Sequence, residues 1–354
     1  MGYTIMIEPV GQSVEVREGQ TVLDACLRAG VWLPHACGHG LCATCKVQVL
    51  EGDCDHGAAS SFALMDFERG EKKILACCAT AQSDLVIEAD VDEEPDALYL
   101  PLQDYLGVVV EARMLTPTIR GLWLKTHQPV RFQAGQYVML DVPGVQGPRA
   151  FSLANPPDDD SGLVELHIRR VPEGRATGWL HDVVQPGDKL AFSGPFGRFF
   201  VRKSAQVPMI FVAGGSGLSS PKAMLMDLLA EGCTRPITLV QGARTADELY
   251  FRELFERLAD THPNFTYLPV LSQAAGDDGW RGARGFAHEA LKAHFANDFR
   301  GHKAYLCGPP PMIEASIATL MQGRLFERDI YTEKFITAAD AEGAARRSPL
   351  FKSI

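Results

Sequence analysis

The chain has 354 residues, enough for two or three cores, and 46% hydrophobic with 22% charged residues is the composition of a globular protein. No apolar run approaches the ~20 residues that span a bilayer, and the opening MGYTIMIEPVGQSVEV alternates like a strand, with no basic segment before an apolar core, so no signal peptide is read there. The net charge of −10 sits in residues 1–95, which hold 6 Lys+Arg against 16 Asp+Glu; this argues against nucleic acid and suits either a solvated face or steering toward a partner.

The first segment opens with YTIMIE and SVEVRE, a hairpin pattern. Thr21 then caps a short helix, VLDACLRA, that stops at Gly30. A cysteine-rich loop, ACGHGLCATC, precedes the strand CKVQVLEG; a last strand, DLVIEA, runs into the acidic, Pro-containing DVDEEPDA. These features place a first domain at 1–92 and a linker at 93–103. From 104 to 204 short β-like runs broken by Gly and Pro (GVVVEARML, GLWLKTH, QYVMLDVP, LVELHIRRV, DKLAFSGP) predict a small antiparallel barrel. From 205 to 337 the strands MIFVAG, ITLVQGA, FTYLPVL and KAYLCGP alternate with helical patterns, the rhythm of βαβ units around a parallel sheet. Residues 338–354 have no period and read as a tail.

Nine cysteines, three of them within ten positions, suit a reducing, cytoplasmic compartment and metal ligation better than disulfides. Cys37, Cys42 and Cys45 follow C-x4-C-x2-C, the plant-type [2Fe–2S] spacing, which needs a fourth distant thiolate; KKILACCATA offers Cys77 or Cys78. Gly38 and Gly40 permit a tight path around such a cluster. A zinc site prefers two separated C-x2-C or C/H knuckles, and here there is one. A Rieske centre needs C-x-H twice, and CGH supplies it once.

In the barrel segment, Arg149, Phe151 and Ser152 of PRAFSLANPP are expected on one side of a strand, where a guanidinium, a ring and a hydroxyl would seat a flavin. An ordinary strand with an exposed arginine explains them as well. Gly174 and Thr177 of EGRATGWLHD introduce a helix whose first amides suit a pyrophosphate or form a plain N-cap. Gly214, Gly215, Ser216 and Gly217 form a glycine turn between strand and helix, good for phosphate but not the G-x-G-x-x-G fingerprint; a tight turn without ligand is the other reading. YLCGPPPM repeats the arrangement, with Cys307 either an inert buried thiol or the border of a nicotinamide. Arg244, after ITLVQGA, suits either a 2′-phosphate or an adenine.

Together ACGHGLCATCKVQV, RAFSLANPP, AGGSGLSSP and YLCGPPPMI make the chain resemble the ferredoxin–NAD(P) reductase superfamily in its oxygenase-reductase arrangement, nearest to reductase components of bacterial multicomponent phenol hydroxylases. The resemblance implies a multidomain α+β protein: a plant-type ferredoxin β-grasp domain, an antiparallel β-barrel flavin domain and an α/β parallel-sheet nicotinamide-binding domain. It implies Cys37, Cys42, Cys45 and Cys77 as cluster ligands, with Cys78 a neighbour. It assigns Arg149 to FAD phosphate, Phe151 to packing on the flavin (many relatives have Tyr there) and Ser152 to flavin N5. Further flavin contacts fall on His167, Ile168 and Arg169 and on Gly174, Ala176 and Thr177. Gly214 to Gly217 match the dinucleotide phosphate loop, Cys307, Gly308 and Pro309 the segment beside the nicotinamide, and Glu333 with Phe335 the place where the last strand nears the flavin. Ser152, Cys307, Glu333 and Phe335 are thus the expected catalytic set, with Cys307 shaping the pocket.

The implied activity is that of an NADH-dependent oxidoreductase passing electrons from NADH through FAD and [2Fe–2S] to a partner oxygenase, expected to be a diiron hydroxylase. No nucleic-acid or membrane partner is expected. A reductase for a ring-hydroxylating dioxygenase is the alternative of the same chemistry; a flavin or zinc sensor module is the non-enzymatic one.

Overall fold

The computed structural model describes residues 2–35, 38, 40–91, 94–157, 161–274 and 279–335. They fall into two compact units: residues up to Tyr105 with Ser193–Arg198, and Leu106–Phe192 with the described residues from Phe199 onward. Cys37 and the expected tail lie outside the described residues. Among the described residues no helix is long and apolar enough to cross a membrane.

In the first unit β1 (Gly2–Glu8) and β2 (Gln12–Arg17) form the expected hairpin, in register from Gly2↔Arg17 to Ile7↔Gln12. Alternation puts Ile5, Ile7, Val14 and Val16 on its buried face. Thr21 caps α1 (Val22–Arg28), its Oγ1 accepting from the Asp24 amide at 3.2 Å, and Gly30 takes φ +79° beyond the helix end. β3 (Lys46–Glu51), β4 (Cys54–Asp55), α2 (Asp66–Gly70), β5 (Lys73–Leu75), β6 (Thr80–Ala81) and β7 (Leu85–Glu88) follow. The main sheet runs β2-β1-β7-β3-β5, with β1 and β7 parallel, and holds the apolar face of α1 in its core. This is the β-grasp architecture the resemblance implied. The first amides of α1, which have no partner inside the helix, are used on the turn after β5: Leu23 N donates to Ala76 O at 2.8 Å and Val22 N to Ala79 O at 2.9 Å.

The segment expected as a linker packs on this unit over its described residues. Trp32 Nε1 donates to Leu100 O at 3.2 Å, Leu102 N to Leu27 O at 3.1 Å, and Leu102 is buried. Tyr99 and Leu102, which follow the acidic run, pack against this unit's core.

The second unit begins with most of β8 (Gln103–Met114), then β9 (Ile119–Thr126), β10 (Tyr137–Leu140), β11 (Arg149–Ser152), β12 (Leu163–Arg169), α3 (Arg175–Asp182) and the first half of β13 (Lys189–Phe196). The sheet order is β11-β10-β13-β8-β9-β12. A bridge from Leu153 to Leu166, with Ala154 N donating to Glu165 O at 2.8 Å, joins the two ends into a barrel.

The same unit continues with β14 (Met209–Gly214), α4 (Ser219–Ala230), β15 (Ile237–Ala243), α5 (Arg252–Thr261), β16 (Phe265–Leu271), β17 (Ala283–Arg284), α6 (Ala287–His294), β18 (Lys303–Gly308), α7 (Pro310–Gln322) and β19 (Ile330–Lys334). These six strands are all parallel, in the order β17-β16-β15-β14-β18-β19. The chain moves outward from β14 on one side and returns to its other side with β18. That reversal opens a crevice at the carboxyl ends of β14 and β18, where open α/β sheets take ligands.

Thr21→Ala removes the cap of α1 and loosens the turn that α1 holds. The first unit is expected to lose about 1 kcal/mol of stability, read as a lower urea midpoint in Trp32 fluorescence.

Candidate active site and cysteine loop

Cys45 ends the cysteine loop at the mouth of β3, and Cys77 sits on the turn tied to α1. The structure brings these two thiols into hydrogen-bond contact. The Cys77 thiol, followed by its amide, donates to Cys45 and holds it down at about 7 against burial, while the same bond and burial push Cys77 up. Cys42 is exposed and near enough for its charge to be felt at Cys45. Among the described residues no three ligating side chains close on one point, and Cys37 is not one of them. Cys78 Sγ lies 3.7 Å from Cys77 Sγ, but it faces Gly40, where a Cβ would stand 2.6 Å from that sulfur. Gly38 and Gly40 have φ +69° and +75°, the left-handed path that glycine permits. A loop with two described thiols, a third thiol on the turn after β5, sharp glycine turns and close backbone suit a thiolate-held iron–sulfur cluster.

At the α/β crevice the loops after β14 and β18 touch. A Cβ on Gly217 would stand 2.4 Å from Gly308 Cα and 2.5 Å from Cys307 O; one on Gly308 would stand 2.8 Å from Gly214 O. Gly214 ends β14, Gly215 to Leu218 form one 3-10 turn, and α4 starts at Ser219. Ser219 Oγ donates back to Ser216 O at 2.7 Å and fixes the turn. Pro309 precedes α7, and Phe335 N donates to Gly308 O at 3.0 Å. The glycines are there because backbones meet, and the start of α4 that follows them is of the kind that suits a phosphate.

Glu333 on β19 pairs in register with Cys307 on β18. Its Oε2 accepts from Ser220 Oγ at 2.8 Å, Ser152 Oγ at 3.1 Å and Cys307 Sγ at 3.6 Å. Glu333 is half-buried as a residue, yet burial of the carboxylate raises its pKa to about 6, against the lowering effect of the three donors. Burial and Glu333 push the Cys307 thiol well up, so it stays a protonated donor and not a nucleophile. Ser152 brings the barrel into this cluster.

Arg149, Phe151 and Ser152 do not share a face. β11 pairs in unbroken register, Phe151 opposite Val138 and Ser152 opposite Tyr137, so adjacent residues point to opposite sides. Arg149, exposed, and Phe151, half-buried, lie on one side of β11; Ser152, buried, points to the other side and to Glu333. Arg149 Nη1 donates to the carbonyls of Gln146, Gly147 and Pro148 at 3.0–3.2 Å, which poises a cation at the barrel edge. α3 starts at Gly174 with no side-chain cap, so its first amides are open to an anion. Thr177 Oγ1 is spent locally, accepting from Val171 N at 3.1 Å, and Ala176 is buried. A guanidinium, a ring and an uncapped helix start suit a flavin with its pyrophosphate.

The HIR segment of β12 is divided. Ile168 points into the barrel core, fully buried. Arg169 is exposed and reaches the glycine turn, its Nη1 2.9 Å from where a Gly215 Cβ would be. His167 is buried in a network that the motifs did not show. Its Nε2 meets Glu165 Oε1 at 2.8 Å; Lys222 Nζ donates to Glu165 Oε2 at 2.8 Å and to Ala154 O at 2.9 Å. Tyr250 OH lies 3.2 Å from His167 Nδ1 and 3.1 Å from Gly215 O. Burial opposes ionisation of Glu165, but the His167 bond and the Lys222 charge hold it down at about 2. The signal lay in LVELHIRR, where Glu165 and His167 share one face of a strand whose other face is Val164, Leu166 and Ile168.

Arg244 is half-exposed and 3.5 Å from Glu248, whose carboxylate also accepts from Thr118 Oγ1 of the barrel at 2.9 and 3.0 Å. Beyond β15 and β16 a cavity of about 350 Å³ is lined by Thr245, Ala246, Arg252, Gln273 and Trp280. A larger groove of about 860 Å³ between α6 and α7 is lined by none of the residues above.

Three domain families match in sequence order: 2Fe-2S iron-sulfur cluster binding domain over residues 5–82, oxidoreductase FAD-binding domain over 107–201, and oxidoreductase NAD-binding domain over 211–317. The chain is 61% identical to the phenol 2-monooxygenase reductase component DmpP of Pseudomonas sp. (strain CF600), and 57% identical to the phenol hydroxylase P5 protein of Acinetobacter pittii (strain PHEA-2). Both matches cover all of both chains. Among solved structures the Amycolatopsis cytochrome P450 reductase GcoB superposes with a TM-score of 0.85 at 36% identity, over 94% of this chain and 98% of that one.

Gly217→Ala drives a methyl into the Gly308 backbone, and neither loop can yield without losing the crevice. NAD+ affinity is expected to fall at least about tenfold in equilibrium titration, with FAD retained. Lys222→Met leaves the Glu165 carboxylate buried without its cation. The second unit is expected to lose about 3–5 kcal/mol in urea unfolding followed by flavin release, and adding Glu165→Gln is expected to restore most of it.

Proposed function

This chain belongs to the [2Fe–2S] flavoprotein reductases of the ferredoxin–NAD(P) reductase superfamily, and from that premise we propose that it is the NADH-dependent reductase of a multicomponent phenol hydroxylase whose oxygenase is a diiron protein. The observation that carries the chemistry is the meeting of Ser152 from the barrel with Cys307 and Glu333 from the α/β sheet on one carboxylate oxygen. The full-length likeness to two phenol-oxidising systems supports the choice of partner. A thiol-rich loop of this kind suits a cytoplasmic setting.

When bound, FAD accepts the two electrons of a hydride, and a [2Fe–2S] cluster carries electrons singly, so the flavin belongs between NADH and the cluster. The residues' work is placement. Arg149 and the start of α3 would hold the FAD phosphates, Phe151 would pack on the ring system, and Ser152 would offer its hydroxyl to N5. Gly214 to Gly217 and the first amides of α4 would hold the dinucleotide phosphates, with Arg169 adding positive charge beside Gly215. Cys307 and Gly308, which border the glycine turn, would line the nicotinamide's place, where their task would be orientation for hydride transfer. Cys42, Cys45 and Cys77, with Cys37, would hold the cluster.

Reconstitution with purified phenol hydroxylase oxygenase components tests the assignment: NADH-driven phenol oxidation is expected. Turnover only with a ring-hydroxylating dioxygenase would reject it. Cys42→Ser is expected to abolish the cluster's visible absorption and the one-electron reduction of cytochrome c, while NADH still bleaches the flavin. Loss of flavin bleaching as well would contradict the division of labour between the units.

A further inference from the structure

Two adjacent serines open α4 and point to different tasks. Ser219 donates to Ser216 O at 2.7 Å and locks the glycine turn. Ser220, fully buried, donates to Glu333 Oε2 at 2.8 Å, the shortest of the three bonds on that oxygen. A serine hydroxyl has one hydrogen to give. Ser152 lies on the strand that the proposed function assigns to the flavin, so its hydrogen has two acceptors once the cofactor is bound. The Cys307 thiol is a weak donor at 3.6 Å. Among the described residues Ser220 is the donor whose strong bond to Glu333 the flavin does not contest; its other acceptor is the Cys307 sulfur, a weak one.

We propose that Ser220 is the positioning residue that anchors the Glu333 carboxylate at the flavin–nicotinamide crevice when Ser152 turns to the flavin. The inference rests on the reading of this crevice given above.

The surroundings make the bond measurable. Among the described residues the titratable group facing Glu333 is Cys307, which stays protonated. On α4, Lys222 is paired with Glu165 at 2.8 Å, and on β19, Lys334 lies 3.8 Å from Glu314. Glu333 therefore titrates under burial and its three donors, with burial dominant and a pKa of about 6. Because this lies above the ordinary carboxyl value, its contribution to stability is full below about 4.5 and is lost as pH rises through about 6. A donor that favours the ionised form limits that loss. Without Ser220 the folded-state pKa rises, and the loss extends to higher pH.

The test uses the FAD-loaded, full-length protein as wild type, Ser220→Ala, Ser220→Thr, Glu333→Gln and the double variant Ser220→Ala with Glu333→Gln. The readouts are thermal flavin release and the stopped-flow rate of flavin reduction by NADH, each from pH 5 to 8.5. Ser220→Ala is expected to raise the apparent pKa of the reduction rate by roughly one unit, a tenfold change in proton affinity, with Ser220→Thr restoring it. Its destabilisation is expected to be larger at pH 8 than at pH 5, and the Glu333→Gln background is expected to erase that difference. If Glu333→Gln removes the pH dependence but Ser220→Ala lowers rate and stability equally at every pH, Ser220 is packing only and the proposal fails. If Glu333→Gln leaves the wild-type profile intact, the crevice itself has been misassigned.

Discussion

A hydride moves only between atoms in near contact, and that requirement governs how the second unit is built. The strand that carries Ser152 and the two parallel strands that carry Cys307 and Glu333 come from different sheets, yet their side chains converge on one carboxylate oxygen. Everything around that point serves the convergence. The order in which the chain adds strands reverses there, so two parallel strand ends face one crevice. Glycine at 217 and 308 lets their loops touch, which no side chain would allow. The single-electron centre is under no such constraint, and the cysteine loop stands in a unit of its own.

Holding two sheets together with buried charge is an expensive solution. Lys222 and Glu165 are both almost wholly buried, and desolvating such a pair costs several kcal/mol per ion unless geometry and further hydrogen bonds offset it. Here they do. Lys222 also reaches a backbone carbonyl at the exit of β11 and lies 4.8 Å from the centre of the Phe251 ring, while Glu165 takes a second bond from His167. An apolar contact would tolerate sliding; a hydrogen-bonded ion pair does not. The network runs on through Tyr250 to the Gly215 carbonyl, so the glycine turn is referenced to the flavin strand through directional bonds.

Much of this was legible in the sequence because it is written in short periods and fixed spacings. The hairpin, the capped helix, the barrel strands and the βαβ rhythm each follow from local pattern, and C-x4-C-x2-C with a later CC names a cluster. What was not legible depends on how strands stack. Ser152 was read with Arg149 and Phe151, although a period of two separates 151 from 152. The resemblance implied flavin contacts at His167 and Ile168; that their side chains lie in a buried network and in the barrel core was not legible. Ser220 looks like an ordinary helix-start serine until β19 lies beside it. The segment after the acidic run was read as a spacer because charge dominates its beginning; its few apolar residues settle it on the first core.

Paired electrons enter at the crevice of the second unit and leave singly through the first. An anaerobic titration of the reconstituted chain with NADH tests it most directly, followed by visible absorption together with acid-labile sulfide. Each chain is expected to take up more electrons than a flavin alone can store, with the surplus appearing as loss of the cluster bands. An endpoint at flavin reduction alone, in protein shown to contain its sulfide, would contradict it.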